Sequence, residues 1–389
     1  MITNFTYFIP TRVLFGAGQL NHLHEQQLPG KKALIVTTSG KSVKRNGTLE
    51  RVEKQLEMAN VEYTLFDRVH PNPTLANVMD ASILGKESGC DFVIGLGGGS
   101  AMDAAKAIAF AMTNPGDLWD YSFSTTGGKK ERIAQPLPIV CITTTAGTAS
   151  EVDPWGVITK EETGEKSGFF SGESMYPVLS IVDPDLMMTI PSQFTAYQGM
   201  DAFFHATESV INTKNHIMGE MFALKAIELV AKYLPLAVKD GSDKEARYYM
   251  AVANSLAGYY MLCTSAHSME HSLGGFYPEL PHGAGLIMIA HAYYQKFADL
   301  KVCEGQMIKI AKAMGVHNAI SGQDFVNALD KLIANIGMSD LKMSDFGITK
   351  EYLISCPERT RKVMGGDISA DPAELSDMDM LEIYLQSYK

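Results

Sequence analysis

Short apolar runs alternate with stretches of helical spacing in the first half of the chain. Nearly uninterrupted apolar runs occur at positions 32–38, 91–99, 138–145 and 178–184. Between the first two runs, residues 47–60 and 74–89 carry apolar side chains at helical spacing. Unbroken apolar strands separated by helices are typical of a parallel sheet that is covered on both faces. We therefore predict an α/β domain built on a parallel sheet.

The pattern changes after Pro184. Apolar residues recur at a helical period, without strand-like runs, in the segments 219–237, 243–263 and 304–314. A chain of 389 residues also exceeds the size at which one hydrophobic core stops growing. We expect two domains with a boundary near residue 187, an α/β domain over 1–187 and an all-α domain over 188–389.

Composition narrows the class of protein. A hydrophobic fraction of 46% and a charged fraction of 20% are ordinary for a globular chain. The net charge of -11 disfavours nucleic acid and anionic lipid as partners. The first residues lack a signal-peptide pattern and no run of 18 apolar residues occurs, so we expect no membrane partner. Five scattered cysteines without a CxxC pair indicate reduced thiols, and the expected location is the cytoplasm.

A glycine-rich turn follows the second apolar run. Gly97, Gly98, Gly99 and Ser100 lead from that predicted strand into a helix. Glycines let the backbone approach a ligand closely, and free N–H groups at a helix N-terminus attract anions, so the turn is a candidate pyrophosphate site. Tight strand-to-helix turns need glycine in any case. Asp103, in the first turns of the helix, has an alternative role as a cap that complements the helix dipole.

A second small polar loop follows the third apolar run. It carries the hydroxyls of Thr143, Thr144, Thr145 and Thr148. Hydroxyls and exposed backbone suit the polar edge of a ligand. The same composition is typical of a turn rich in serine and threonine, and the sequence leaves both interpretations open.

The second half of the chain concentrates histidines. Asp201 and His205 lie four residues apart, so one helical turn stacks a carboxylate and an imidazole on one face. His267 and His271 repeat that spacing, and His282 follows a short loop. One carboxylate with three histidines can bind a first-row divalent ion and leave a position open for a substrate oxygen. Any one such histidine alone is more simply a hydrogen-bonded helix residue, but the two clusters together favour a metal site.

Several separate motifs follow one another along the chain. They are PTRVLFGAG at 10–18, GLGGGSAMDAAK at 95–106, TTTAGTASEV at 143–152, MDAFFHA at 200–206 and LPHG at 280–283. In this order they resemble the iron-containing alcohol dehydrogenase family over nearly the whole chain. VTTSGKSVKRNGTLE at 36–50 and PNPT at 71–74 are most similar to its branch of butanol dehydrogenases and broad aldehyde reductases. The resemblance implies a dehydroquinate synthase-like architecture, with a dinucleotide-binding α/β domain followed by an all-α domain, and a homodimer.

The resemblance also implies roles for individual residues. The metal, iron or alternatively zinc, would be bound by Asp201, His205, His267 and His282. His271 would lie near substrate and nicotinamide as a candidate for proton relay rather than as a ligand. Cofactor contacts would come from Gly97, Gly98, Gly99, Ser100, Asp103, Thr144, Thr145, Asn72 and Lys166. The implied reaction is hydride transfer between NAD(P)(H) and a small aliphatic alcohol or aldehyde.

Two positions depart from the pattern of the family. The spacing from His271 to His282 is one residue longer than expected, which either shifts His282 or lengthens the loop. Asp153 stands where a threonine is common and places an extra acid near the active-site region. Both departures concern the substrate more than the reaction class.

The choice of nicotinamide cofactor depends on the residues after the first apolar run. NAD-preferring members place an acid there, whereas this chain has Thr38, Ser39, Gly40 and Lys41. Without a carboxylate a 2′-phosphate is not repelled, and Lys41, Lys44 or Arg45 can attract it. We expect NADP, with NAD as the alternative. The alternative is that these basic residues are only solvated charges at the start of a helix.

Other functions share parts of this pattern. A polyol dehydrogenase acting on glycerol or propanediol would have the same fold and metal ligands. A lyase like dehydroquinate synthase would need more basic residues for its phosphorylated substrate than we can place. A noncatalytic nucleotide-binding or metal-binding sensor belongs to a different class, and the complete ligand set together with His271 argues against it.

Overall fold

The computed structural model describes residues 4–389, without the side chains of 364–366. Phe8–Thr189 form one compact unit, and Ile190–Lys389 form another together with the segment that ends at Tyr7. The predicted α/β domain includes every residue before 188, whereas in the structure the described residues before Phe8 group with the helices. There the Tyr7 hydroxyl donates to the carbonyl of Tyr259 at 3.0 Å, and the Tyr7 ring stacks on Phe222 at 5.9 Å.

The unit from Phe8 to Thr189 has α/β structure. Its strands are β1 (Arg12–Phe15), β2 (Lys32–Thr38), β3 (Glu62–Val69), β4 (Phe92–Gly97), β5 (Ile139–Thr143), β6 (Gly156–Lys160), β7 (Glu165–Phe169) and β8 (Leu179–Val182). Its helices are α1 (Ser42–Arg45), α2 (Thr48–Met58), α3 (Leu75–Glu87) and α4 (Gly99–Ala111). Short 3-10 helices occur at Gln19–Glu25, Leu118–Tyr121, Glu173–Met175 and Pro184–Met187.

The main sheet of this unit is parallel throughout. Within the described residues it has six strands in the order β1, β8, β5, β4, β2, β3. This confirms the parallel sheet that the apolar runs predicted. The β6–β7 hairpin, which pairs antiparallel outside the main sheet, was not predicted.

Both faces of the parallel sheet are covered by helices. Side chains alternate along a strand, so Leu34 and Val36 of β2 belong to a core with α3 and α4. Ala33 and Ile35 of the same strand belong to the opposite core with α2. Because every residue of β4 is buried, that strand shows an unbroken apolar run rather than an alternating one.

The second unit is all-α in the described part of the chain. Its helices are α5 (Ser192–Ile211), α6 (Ile217–Lys239), α7 (Lys244–Gly258), α8 (Ser265–Gly274), α9 (His282–Leu300), α10 (Glu304–Ala313), α11 (Gly322–Asn335), α12 (Lys350–Ile368) and α13 (Asp377–Ser387), with a 3-10 helix at Met343–Phe346. This confirms the predicted helical architecture. The predicted helical segment 243–263 is shorter in the structure, because α7 ends at Gly258 and Cys263 lies in the loop before α8. None of the helices within residues 4–389 combines the length and hydropathy needed to cross a membrane.

Helix α5 is the centre of the helical unit. It packs against α6, α7 and α9, and nearly every residue from Thr195 to Ile211 is buried. Glycines allow α6 and α9 to approach α5 closely. A Cβ on Gly199 would lie 2.3 Å from Leu234 of α6, and a Cβ on Gly283 of α9 would lie 2.1 Å from the carbonyl oxygen of Tyr197. The N-terminus of α9 therefore lies directly against the backbone of α5.

The contact at Gly283 generates a test of this packing. Gly283→Ala forces the first turn of α9 away from the α5 backbone, since a carbonyl oxygen cannot yield as a flexible side chain does. We expect a loss of roughly 1 to 3 kcal/mol in the free energy of unfolding, measured by urea denaturation. Gly305→Ala in α10 is the matched control, because a Cβ there meets nothing within 4 Å. Equal stability of the two variants would contradict the close crossing.

Candidate functional site

Three histidine rings converge on one carboxylate oxygen in the helical unit. Asp201 and His205 lie one turn apart on α5, His267 lies on α8, and His282 is the first residue of α9. The Nε2 atoms of His205, His267 and His282 lie 3.7, 3.5 and 3.4 Å from Oδ1 of Asp201. The structure therefore brings together all four predicted ligands, and His282 takes its place despite the longer spacing from His271.

Two buried glutamates orient two of these rings. Glu208 of α5 hydrogen-bonds Nδ1 of His267, and Glu270 of α8 hydrogen-bonds Nδ1 of His282. A carboxylate accepts the Nδ1 proton, so each ring in its neutral form presents the lone pair of Nε2 toward Asp201. Glu208 is fixed in turn by the amide and hydroxyl of Thr264, which donate to its other oxygen at 2.6 and 2.8 Å.

The charge state of the cluster suits a cation. Burial opposes ionisation of Asp201, but His205 and His282 hold the pKa of its carboxyl well below the usual value. Burial lowers the pKa of His205 to about 4, so that ring is neutral. Burial also disfavours the charged form of His267, but Cys263 and Glu208 hold the pKa of this imidazole well above its usual value. A metal ion bound by His267 would therefore displace a proton.

Unsatisfied polar atoms test whether the cluster fits a metal. Within the described residues, Oδ1 of Asp201 and Nε2 of His267 are buried and have no hydrogen-bond partner. Leaving such atoms unpaired is costly in a protein interior. A divalent cation between them would satisfy both, and one carboxylate oxygen with three imidazole nitrogens is a suitable ligand set for iron or zinc. The residues present therefore fit the metal that the sequence predicts.

His271 lies beside this cluster. It follows His267 by one turn of α8, is 7% exposed, and has its ring centre 5.4 Å from that of His282. Its ligand atom lies within 4.8 Å of those of Glu270 and His282. This position is compatible with a proton-handling group next to the metal ligands.

Three residues of this cluster were missed by the sequence analysis. Glu208 and Glu270 each follow a predicted ligand by three residues, on the same helical face, and that spacing was the available signal. Cys263 lies within 4.8 Å of His205 and His267, measured between ligand atoms. No spacing rule predicts Cys263, because it belongs to the loop before α8 rather than to a helix.

In the α/β unit, the glycine-rich turn and the threonine loop lie against each other. The amide of Thr144 donates to the carbonyl of Gly97 at 2.9 Å. A Cβ on Gly98 would lie 2.9 Å from Thr145, and one on Gly99 would lie 2.4 Å from Thr148. Gly97 has a φ of 146°, where only glycine is comfortable. The turn brings Ser100 into the first turn of α4, whose N-cap Gly98 forms no side-chain cap bond.

Asp103 is held by the protein itself. Its carboxylate accepts from Ser150 Oγ at 2.6 Å and from the amide of Val157 at 3.0 Å. Burial raises its pKa to about 6. These bonds connect α4 to the threonine loop and to β6, so Asp103 does not cap the helix. Its predicted contact with the cofactor stays a prediction. The extra acid, Asp153, pairs with the buried Lys106 of α4 at 3.0 Å.

Asn72 and Lys166 are brought to one edge of the same unit. Asn72 has a φ of 57° and precedes Pro73, whose carbonyl accepts from the amide of Thr159 at 2.8 Å. Thr159 is paired with Lys166 across the β6–β7 hairpin. Thr159 therefore connects the segments that carry Asn72 and Lys166, two of the predicted cofactor contacts.

Lys41 lines a cleft at the ends of β2 and β3. The cleft has a volume of about 400 Å³ and is lined by Thr38, Ser39, Gly40, Lys41, Lys44, Arg45 and Asp67. Asp67 comes from β3 and forms an ion pair with Lys44, which holds the pKa of its carboxyl below the usual value. The residues after β2 carry no acid, as the sequence shows, but Asp67 brings a carboxylate to the cleft from the neighbouring strand.

The histidine–glutamate pairs generate a test of the metal cluster. Glu270→Gln and Glu208→Gln remove the charge that orients a ring, and we expect each to weaken metal binding about 10- to 100-fold in competition with a chelator. The exposed Glu228→Gln, which faces Lys225 at 2.7 Å, is the control and should bind metal as the wild type does. Unchanged affinity in both glutamate variants would show that the pairs do not support a metal.

Comparisons with known proteins agree with this arrangement. The family model described as iron-containing alcohol dehydrogenase matches residues 10–184, and the model of the C-terminal part of the Fe-containing alcohol dehydrogenase family matches residues 195–388. The chain is 34% identical to a 1,3-propanediol dehydrogenase of Klebsiella pneumoniae, over 99% of both proteins.

Solved structures show the same similarity. A halo-thermophilic archaeal alcohol dehydrogenase from a Red Sea brine pool superposes with a TM-score of 0.93 at 32% identity, over 100% of both chains. The NADH-dependent butanol dehydrogenase A of Thermotoga maritima gives 0.88 at 26% identity, over 99% of both chains. This chain therefore belongs to the iron-containing alcohol dehydrogenase family, whose members are oxidoreductases that act on alcohols.

Proposed function

We propose that this protein is a metal-dependent alcohol dehydrogenase and aldehyde reductase, which transfers a hydride between NAD(P)(H) and a small aliphatic alcohol or aldehyde. The observation that carries the proposal is the convergence of three imidazole Nε2 atoms on Oδ1 of Asp201. We propose iron as the native metal and zinc as the alternative, held by Asp201, His205, His267 and His282.

The chemistry is divided between the bound groups and the side chains. A bound divalent cation supplies a Lewis acid for the alcohol oxygen, and a bound nicotinamide supplies the hydride acceptor or donor. Glu208 and Glu270 keep Nε2 of His267 and His282 directed at the metal position. His271 receives the alcohol proton or returns it to the product, since the pKa of histidine lies close to working pH.

The nucleotide is assigned to the α/β unit. Gly97, Gly98, Gly99 and Ser100 at the N-terminus of α4 would bind the pyrophosphate through backbone N–H groups. Thr144 and Thr145 would line the same position, because their loop packs against the glycines. Asn72 and Lys166 are further proposed contacts. Asp103 would act indirectly, by holding Ser150 and Val157 in place.

We propose NADP rather than NAD as the preferred cofactor. The cleft at Lys41 is lined by three cationic side chains and one carboxylate, so its net charge favours a 2′-phosphate. Lys44 also neutralises Asp67 directly. NAD is the alternative, because an acid at this end of the sheet can bind the ribose hydroxyl of that cofactor.

A polyol dehydrogenase is the second candidate. It is favoured by the similarity to the 1,3-propanediol dehydrogenase of Klebsiella pneumoniae, which covers nearly the whole of both proteins. The fold and the metal ligands would be the same in both cases, so the substrate separates the two proposals.

Metal removal and return test the function directly. Protein purified without oxygen should contain iron or zinc, should oxidise NADPH faster than NADH with butanal, and should lose activity when a chelator removes the metal. Activity should return with added metal, because the cation holds the substrate oxygen. The measurement is metal content together with NAD(P)H absorbance.

Other results of this experiment would favour a different substrate, cofactor or class of protein. Faster turnover of 1,3-propanediol or glycerol than of butanol would favour the polyol enzyme, and faster NADH oxidation would overturn the cofactor proposal. Bound metal without turnover of any of these substrates would favour a sensor. Protein that binds no divalent metal would refute the metal assignment.

His271→Gln separates proton handling from metal binding. We expect unchanged metal content and a fall in kcat of about 100-fold, because a general acid or base contributes on that order. The comparison is His291→Gln, whose ring pairs with Asp330 at 2.9 Å far along α9 from His282. Full activity of His271→Gln across the pH range would exclude the proposed role.

A further inference from the structure

Strand β3 contains an extra residue where it borders the cleft at the ends of β2 and β3. Val36 of β2 is paired with Phe66 of β3. Two residues later along β2, Thr38 is paired with Val69, so β3 has advanced by three residues over the same distance. Phe66 and Val69 nevertheless face the same hydrophobic core, which regular alternation along a strand does not allow. The strand therefore has a bulge that includes Asp67, and bulges next to functional sites re-aim side chains.

The bulge places an acid beside basic residues. Asp67 is the acid among the described residues that line the cleft, and it forms an ion pair with Lys44 of α1. The side chains of Lys44 and Asp67 are 44% and 35% exposed, so a ligand in the cleft can reach both. The amide of Ser39 donates to the carbonyl of Val69 at 2.8 Å and ties the segment after β2 to the end of β3. The acid therefore has a fixed place in the cleft.

The other two cations of the cleft are available to an anion. The side chains of Lys41 and Arg45 make no ion pair or hydrogen bond with another described residue. Arg68 follows Asp67 along β3, but its guanidinium lies over the ring of Phe66 at 4.9 Å and does not line the cleft. Three cationic side chains and one carboxylate leave the cleft with an excess of two positive charges as long as the acid stays paired.

We propose that Asp67, through its partner Lys44, determines which dinucleotide the cleft accepts. While Lys44 neutralises Asp67, the free cations Lys41 and Arg45 bind a 2′-phosphate and the chain accepts NADP. An unpaired Asp67 accepts hydrogen bonds from the ribose hydroxyls and repels the phosphate, so the chain accepts NAD. This inference rests on the proposed nucleotide site. It assigns the choice of cofactor to an ion pair between β3 and α1 rather than to the residues after β2 alone.

Two nucleotide fragments are the probes for this choice. Adenosine 2′,5′-bisphosphate and adenosine 5′-monophosphate differ only in the 2′-phosphate, and their binding needs neither metal nor hydride transfer. Their affinities for the full-length protein are measured by isothermal titration calorimetry at low ionic strength, where charges are least screened. We expect the wild type to bind the bisphosphate more tightly than the monophosphate, because Lys41 and Arg45 attract the additional phosphate.

Charge changes at the ion pair should alter the ratio of these two affinities. In Lys44→Gln the unpaired carboxylate repels the 2′-phosphate, so affinity for the bisphosphate should fall about tenfold while affinity for the monophosphate does not fall. In Asp67→Asn that repulsion is absent, so affinity for the bisphosphate should rise about threefold. The double variant Lys44→Gln/Asp67→Asn replaces one neutral pair by another, so the ratio should return to within about threefold of the wild type.

The matched control is the exposed ion pair between Asp120 and Lys130, which lies in the same unit with its atoms 2.6 Å apart and outside the cleft. Asp120→Asn and Lys130→Gln should leave both affinities unchanged. Exposed ion pairs contribute little to stability, so every variant should keep the urea midpoint of the wild type. The difference between the wild type and Lys44→Gln should also shrink at high salt, which a change in folding alone would not produce.

The outcomes separate this inference from the proposed function. An unchanged ratio in both Lys44→Gln and Asp67→Asn overturns the role of the ion pair and leaves the nucleotide site intact. A loss in Lys44→Gln that persists in the double variant shows that Lys44 binds the phosphate itself, and it also overturns the role of Asp67. If the wild type prefers the monophosphate and Asp67→Asn reverses that preference, NADP is wrong but Asp67 still determines the choice. Binding of neither probe refutes the nucleotide site and this inference together.

Discussion

The helical unit depends on a buried negative oxygen that faces three imidazole nitrogens. Asp201 lies in the buried part of α5, where a charged carboxylate needs compensation, and the rings of His205, His267 and His282 supply it from three helices. Those helices must meet closely. A Cβ on Gly283 would enter the backbone of α5, and one on Gly285 would lie 2.7 Å from Glu270. Two glycines in the first turn of α9 therefore allow the predicted metal ligands to come together, although neither has a side chain to offer.

A series of hydrogen bonds connects the predicted ligands to residues farther away in the helical unit. Glu208 accepts from Thr264, the Thr264 hydroxyl contacts Tyr293 at 2.8 Å, and Tyr293 reaches Asp371 at 3.4 Å. Asp371 also accepts from the amide of Ser265 at 2.9 Å, and burial raises its pKa to about 7. The start of α8, which places His267, is thus held from α5 on one side and from Asp371, in the segment after α12, on the other. Such linked contacts explain how rings on separate helices keep one orientation.

The features of the fold and of the candidate site that depend on local periodicity could be predicted from the sequence. Parallel strands, the helical second half and the i, i+4 pairs that carry Asp201, His205 and His267 follow from spacing along the chain. Residues that reach a site from a distant part of the chain could not be predicted from this local spacing. Asp67 reaches the Lys41 cleft from a neighbouring strand, and Cys263 reaches the metal ligands from a loop. From Thr195 to Ile211 helix α5 is buried on nearly all sides, so this part has no polar face to reveal which of its residues point at the site.

The glycine-rich turn shows why one motif has two physical explanations. Gly98 and Gly99 are required by the threonine loop, since a Cβ at either position would collide with Thr145 or Thr148. This packing would require glycine at both positions even if the protein bound no nucleotide. The packing nevertheless has a consequence for binding, because it brings the N-terminus of α4 and the hydroxyl-bearing loop into one surface. The side chains of Asp103 and Lys106 hold that loop in place through hydrogen bonds with Ser150 Oγ. Helix α4 therefore supplies the N-terminus that attracts an anion and also the side chains that position the neighbouring loop. The proposal of a nucleotide site at this turn therefore depends on the helix N-terminus and the hydroxyl-bearing loop lying together, and much less on the glycine content alone.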